Sequence, residues 1–185
     1  EVRSGESKFR LPTGDRESYP PAIGTDKAAP IVALESAEWL RLIAQGGYAQ
    51  GTDDTRPHLC GVSLETSNDS LTMVSTDGHR LTLVRRSRTG HALPELGKNQ
   101  LLVPRRSVLE IIQLLKGQKG QVSLGWDKGH LFLVLDRLTL SAKLTDAQFP
   151  PYQQVIPRDH EREVVVDRAK LLGAVEQALL VASDK

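Results

Sequence analysis

Residues 32–45 read Val-Ala-Leu-Glu-Ser-Ala-Glu-Trp-Leu-Arg-Leu-Ile-Ala-Gln, and residues 164–177 read Val-Val-Val-Asp-Arg-Ala-Lys-Leu-Leu-Gly-Ala-Val-Glu-Gln. The second stretch begins 132 positions after the first, with apolar residues coinciding at Val32/Val164, Leu34/Val166, Leu40/Leu172 and Ile43/Val175 and an acid at Glu35/Asp167. Just upstream, Phe9-Arg10-Leu11, Asp15 and Tyr19-Pro20-Pro21 echo Ser141 to Leu144, Asp146 and Phe149-Pro150-Pro151 at an offset of 130. Two segments giving nearly one period mark an internal repeat, the first thing to seek in a sequence. A third echo lies inside it: Leu101-Leu102-Val103-Pro104, then Val108-Leu109 and Ile111-Ile112, repeats the pattern of residues 32–43 at an offset of 69. One unit of about 130 residues is thus built from two half-units. The expected organisation is the end of one unit (1–28), a complete unit (29–157) and the beginning of a third (158–185). The chain starts at Glu1 without Met, which the repeat reads as a start inside a longer protein.

Local patterns fill in the half-units. Ala37, Leu40, Ile43, Ala44 and Tyr48 recur at helical spacing after Ser36, a candidate N-cap, and Gly46-Gly47 is placed to end that helix. A second helix follows Pro104, with Val108, Ile111, Ile112 and Leu115 as its stripe and Gly117 at its end. Elsewhere the alternation has period two: Leu71, Met73 and Ser75; Leu131, Leu133 and Leu135; Leu138, Leu140, Ala142 and Leu144. Turn signals separate these runs at Ser67-Asn68-Asp69, Asp77-Gly78, Asp127-Lys128-Gly129 and Asp136-Arg137. The fold class is α+β: two strand-helix-strands half-units, antiparallel sheets, and two helices on one face with water on the other.

Composition narrows the class. Lys and Arg number 24 against 23 Asp and Glu, so any basic patch is local. Cys60 is the single cysteine, which allows no intrachain disulfide and favours a cytoplasmic protein; read inside an apolar strand, it is expected to be a small core residue. No run reaches the ~18–20 apolar residues of a membrane helix, and no signal peptide is visible. Aromatics make up 4% of the chain, too few for a base-stacking surface, so Trp39 and Trp126 are assigned to core or half-buried positions. No G-x-S-x-G, P-loop or G-x-G-x-x-G motif occurs.

Three blocks carry a resemblance. They are Thr55-Arg56-Pro57-His58-Leu59-Cys60-Gly61-Val62, then Ser75-Thr76-Asp77-Gly78-His79-Arg80-Leu81, then Leu144-Thr145-Asp146 with Phe149-Pro150-Pro151-Tyr152-Gln153-Gln154-Val155-Ile156-Pro157. In that order and spacing they resemble the β sliding clamps of bacterial DNA polymerase III. The resemblance implies a processivity-fold protein of three similar domains, of which 1–28 would end the first, 29–157 form the second and 158–185 begin the third. It implies a head-to-tail homodimeric ring around duplex DNA, with DNA polymerase III, the clamp loader and other clamp-binding-motif proteins as partners. It implies neither catalysis nor a cofactor. The present chain, lacking complete neighbours, is expected to be monomeric.

Residue by residue, Thr76, Gly78, His79, Arg80 and Leu81, with Leu59, Pro150 and Val155, match positions that line the family's pocket for a partner peptide carrying Gln, then Leu and an aromatic residue. Arg56 and His58 would border it, and Gln154 stands where the family commonly has Arg, as Pro151 stands for Asp. The same turn also reads as a plain hairpin, or as a metal site of Asp77, His79 and His58 serving a small hydrolase, although no ligand cluster has a recognised spacing. A stand-alone peptide-binding module remains another reading. For DNA, Arg41 on the first helix and Arg105, Arg106 and Lys116 around the second would face the hole, where sequence-independent attraction to phosphates permits sliding. Arg168 and Lys170 extend that lining, while Glu38 and Glu110 dilute it.

Overall fold

The structure is a computed structural model that describes residues 1–19, 23–25, 28–67, 69–87, 100–127, 129–157, 159 and 161–182. Pro20, Pro21, Asn68 and Lys128, which enter the repeat and turn readings, lie outside the described residues. Two compact units divide the chain, Glu1–Phe149 and Pro150–Lys185.

The first unit opens with a short hairpin, β1 (Val2–Ser4) and β2 (Ser7–Phe9). Two half-units follow. The first is β3 (Ala29–Glu35), α1 (Ser36–Gly46), β4 (Gly61–Ser67), β5 (Ser70–Thr76) and β6 (Leu81–Ser87). The second is β7 (Leu101–Pro104), α2 (Arg105–Leu115), β8 (Gln121–Asp127), β9 (His130–Leu135) and β10 (Leu138–Lys143). The helices start 69 residues apart, at Ser36 and Arg105, as the internal echo requires.

The leading strands change places. β3 joins the sheet β10-β9-β8-β3, and β7 joins β6-β5-β4-β7, all antiparallel, so each sheet takes its fourth strand from the other half-unit. The exchange is mirrored in hydrogen bonds. The first residue of each helix donates its backbone N–H to the carbonyl just before the other half-unit's hairpin: Ser36 to Gly120 and Arg105 to Cys60, both at 2.9 Å. Both sheets and both helices share one apolar core.

Three local expectations are corrected. The core face of α1 carries Trp39, Leu42, Ile43 and Gly46, whereas Ala37, Ala44 and Tyr48 are exposed and Leu40 is half-buried. Trp39 and Leu42 offer more apolar area than the alanines, so the helix turns that face inward. Ser36 does not cap: Glu35 is the N-cap residue, and the Ser36 hydroxyl instead donates to the Gln118 carbonyl at 2.7 Å, a tertiary bond in place of a local one. The far face of the sheets is not all wet, because Val74, Leu102 and Phe132 are buried there, opposite in the pleat to core residues such as Met73, Val103 and Leu133. On α2, Val108, Ile111 and Leu115 are buried, and Gly117 takes φ +77° just beyond the helix.

The second unit contains a 3-10 turn, Tyr152–Gln154, and α3 (Arg168–Leu179). This helix begins 132 residues after α1, in step with the repeat, and Asp167 caps it by accepting from the Lys170 N–H at 2.9 Å. Val164, Val165 and Val166, aligned with β3, form no strand and are exposed, since a strand exists only when paired.

Candidate functional site

The half-units differ most at one end. Residues 47–60 join α1 to β4 in the first, against 116–120 between α2 and β8 in the second; residues 77–80 join β5 to β6, against 136–137 between β9 and β10. β4 and β5 are antiparallel, so both long loops emerge at the same end of the sheet.

Ser75 fastens them. Fully buried at the end of β5, its hydroxyl donates to the Gly46 carbonyl at 2.6 Å and accepts the Ala49 N–H at 3.1 Å, joining the end of α1 to the start of the 77–80 loop. The loop itself is organised by Asp77. Its carboxylate accepts the N–H groups of His79 and Arg80 at 2.9 and 3.0 Å and the Arg80 Nε at 3.1 Å. Those two backbone donors, followed by the Arg80 side chain, pull the Asp77 carboxyl down to about 2. The Thr76 hydroxyl donates to the Arg80 carbonyl at 2.7 Å and accepts the Gly78 N–H at 3.1 Å. Gly78 sits at φ +93°, where a side chain would be strained, so glycine is required for the turn.

Across from it, Asp53 organises the 47–60 loop in the same manner. It accepts from the Thr55 hydroxyl at 2.6 Å, the Thr55 N–H at 3.1 Å and Arg56 Nε at 3.0 Å, and these donors hold its carboxyl below the ordinary value. The two loops meet at Arg56, whose Nη1 lies 3.8 Å from where a Cβ on Gly78 would stand. A second bridge runs from Arg80 to Tyr48, with the guanidinium carbon 4.9 Å from the ring centroid.

Of the pocket residues expected from sequence, Arg56, His58, Leu59, Thr76, Gly78, His79, Arg80 and Leu81 all fall on these two loops and their margins. Arg56, His79 and Arg80 are exposed, His58 and Leu81 half-buried, and Leu59 buried. Pro150, Gln154 and Val155 belong to the second unit, where Gln154 and Val155 are exposed and Pro150 is half-buried. Tyr48, Asp53 and Ser75 carry no site assignment from sequence. The one signal for Tyr48 is its place just after Gly46-Gly47, beyond the helix to which its spacing assigns it.

A metal at Asp77 and His79 has little to hold it, because the carboxylate is already committed to three donors within its own turn. Among the described residues, no group of three or more His, Cys, Asp or Glu gathers to hold an ion. With its carboxyl near 2, Asp77 is also a poor general base at neutral pH. Cys60 is half-buried in the loop before β4 rather than inside a strand, and its Sγ donates to the Asp53 carbonyl at 3.0 Å. Burial, then the charges of Asp54 and Asp53, raises its thiol pKa, so it is a weak nucleophile.

Arg41 is exposed on α1, Arg105 and Arg106 are exposed on the first turn of α2, and Lys116 is exposed just past its end. Arg105 and Arg106 border an open groove of about 410 Å³ shared with Pro57, Cys60, Leu109 and Thr145. Glu38 does not dilute this charge as expected: it is ion-paired with Arg86 of β6 and only 20% exposed, whereas Glu110 is exposed. Arg168 and Lys170 are exposed at the start of α3. None of the described helices is long and apolar enough to cross a membrane.

Comparison with known proteins gives the family of the chain. The family model of the DNA polymerase III beta subunit, central domain, matches residues 33–151. The beta sliding clamp of Pseudomonas putida is 32% identical over 184 residues, covering all of this chain and 49% of that protein. The crystal structure of the DNA polymerase III subunit beta from Pseudomonas aeruginosa superposes with a TM-score of 0.86 at 30% identity, over 98% of this chain and 49% of that one. The DNA polymerase sliding clamp of Bacillus subtilis gives 0.86 at 26% identity, over 98% and 47%. The chain spans about half the length of the curated relatives it matches. Matched by the central-domain model over more than half its residues and by named relatives over its whole length, the chain belongs to the DNA polymerase III beta subunit family, the beta sliding clamps.

Proposed function

We propose that this chain supplies the middle domain, with parts of its neighbours, of a non-catalytic cytoplasmic ring that encircles duplex DNA and tethers DNA polymerase III and other partners. In that ring, 1–28 ends the first domain, 29–157 is the second and 158–185 begins the third, and two complete protomers close head to tail. Partners, the clamp loader among them, engage through a short peptide of the Gln-x-x-Leu-Phe kind at the loops 47–60 and 77–80. The observation that carries this reading is the meeting of those two loops. Among the described residues they are the segments in which the half-units differ most, and they bring the backbone at Gly78, the exposed His79 and two arginines to one place. A rigid turn with exposed polar groups beside buried apolar residues such as Leu59 suits an extended peptide whose anchors are few.

The helices serve DNA in this reading. Arg41, Arg105, Arg106 and Lys116 project from α1, α2 and the residue after α2 without a base-reading arrangement, so their attraction to phosphates carries no sequence register. A stand-alone peptide-binding module would use the same loops but would leave these four basic side chains without a task.

The test is an amide-shift titration of this chain with a Gln-x-x-Leu-Phe peptide, carried to millimolar concentration. Saturable shifts at Thr76 to Leu81 and at Leu59 are expected, with Gln154 and Val155 followed in the same spectra. His79→Ala should weaken them. Absence of saturable shifts at the two loops would remove the pocket from this chain.

A further inference from the structure

We propose that Tyr48 is a positioning residue for partner recognition, holding the Arg80 guanidinium in one orientation at the rim of the peptide site; this rests on the pocket reading above. An exposed arginine on a loop normally samples many rotamers, and ordering it on binding costs affinity. Arg80 is held from two sides before any ligand arrives. Its Nε donates to Asp77 at 3.1 Å, and its guanidinium carbon stands 4.9 Å from the Tyr48 ring centroid. The backbone that carries the ring is anchored, because the next residue, Ala49, donates its N–H to the buried Ser75 hydroxyl. Core packing does not account for Tyr48, which is 68% exposed and has left the apolar face of α1. What it touches instead is a charged side chain on the candidate site. The second half-unit offers no counterpart, as five residues join α2 to β8 where fourteen join α1 to β4.

The cation–π contact predicts a pattern that ordinary packing does not. Phe keeps a π face, Trp strengthens it, and Leu supplies bulk without one. The experiment uses the whole chain as wild type, Tyr48→Phe, Tyr48→Trp and Tyr48→Leu. It follows the Arg80 Nε–H resonance, which feels the ring current, and titrates each protein with the Gln-x-x-Leu-Phe peptide. Tyr48→Phe should match wild type and Tyr48→Trp should equal or exceed it. Tyr48→Leu should shift the Arg80 resonance and weaken the peptide roughly two- to five-fold. Peptide affinity in Tyr48→Leu equal to wild type, or an equal loss in Tyr48→Phe, overturns the inference while leaving the pocket standing. A wild-type chain that binds no peptide overturns the pocket reading and this inference with it.

Discussion

The two half-units of the first compact unit follow one plan, and among the described residues they differ most in the loops at one end. Helix for helix they are in register by 69 residues, so that Trp39 on α1 stands where Val108 stands on α2. Both are buried, and each helix begins with a backbone bond to the other half-unit. At one end, however, the first half-unit has long loops, each organised by an aspartate (Asp53, Asp77) and fastened to the other through Ser75, and the second has short ones. The duplicated frame gives rigidity twice. One copy is free to keep compact turns while the other carries the longer loops of the proposed peptide site, which would rest on a support already built.

The comparison can be broken most severely in the core. Trp39→Ala removes a buried ring and the 2.9 Å bond from its Nε1 to the Val122 carbonyl, and should cost about 3–5 kcal/mol in urea unfolding. Val108→Ala at the equivalent position should cost about 1.5 kcal/mol, the loss of two buried carbons. Equal losses would mean that neither the larger ring of Trp39 nor its bond across the half-units stabilises the core beyond what Val108 does. Next comes Gly61, which opens β4 and pairs with Pro104 of the exchanged strand. A Cβ there would collide with the Val103 carbonyl oxygen, so Gly61→Ala should destabilise by about 1–3 kcal/mol. Gln121, which opens β8, is exposed, and Gln121→Ala should lie within about 0.5 kcal/mol of wild type.

The loops sharpen the comparison through pH. The folded-state carboxyl of Asp77 is depressed from 3.8 to about 2, so its bonds to His79 and Arg80 are fully present above the unfolded value. They are lost as pH falls through about 2. The amide shifts of His79 and Arg80 should titrate with a midpoint near 2, and Asp77→Asn should abolish that titration. A midpoint near the ordinary 3.8 would show that the turn is not held as described. The smallest effect concerns DNA. Replacing Arg105 or Arg106 by Ala should lower the slope of log K against log salt by about one for each phosphate that is no longer neutralised, equally for any sequence. A change in sequence preference would contradict the sliding role.

Much of this is legible in the chain. The repeat offsets locate the three α-helices among the described residues, because a helix announces itself by a local period and the copies share it. Gly46-Gly47 ends α1 and Gly117 follows α2 for reasons contained in those residues. What escapes is non-local. The alternation of β3 says which face it buries but not that it pairs with β8 instead of β4, since register between distant strands has no local signature. Ser36 reads as a cap because its competing acceptor, the Gln118 carbonyl, lies in another half-unit. The motif Thr76 to Leu81 marks the candidate site, yet Tyr48 and Asp53 join it only through contacts that form once the loops meet.

The exchanged strands also set a timetable. Ala33 of β3 pairs with Ser123 of β8, 90 residues further along the chain, whereas β4 finds β5 across a tight turn. During synthesis at ~5–20 residues per second, β3 would wait roughly 5 to 20 seconds for its neighbour to emerge from the ribosome. The first hairpin can assemble in that interval, but its sheet lacks β7 until residues 101–104 arrive. Neither half-unit has a finished form of its own, so the first must remain open until the second completes it.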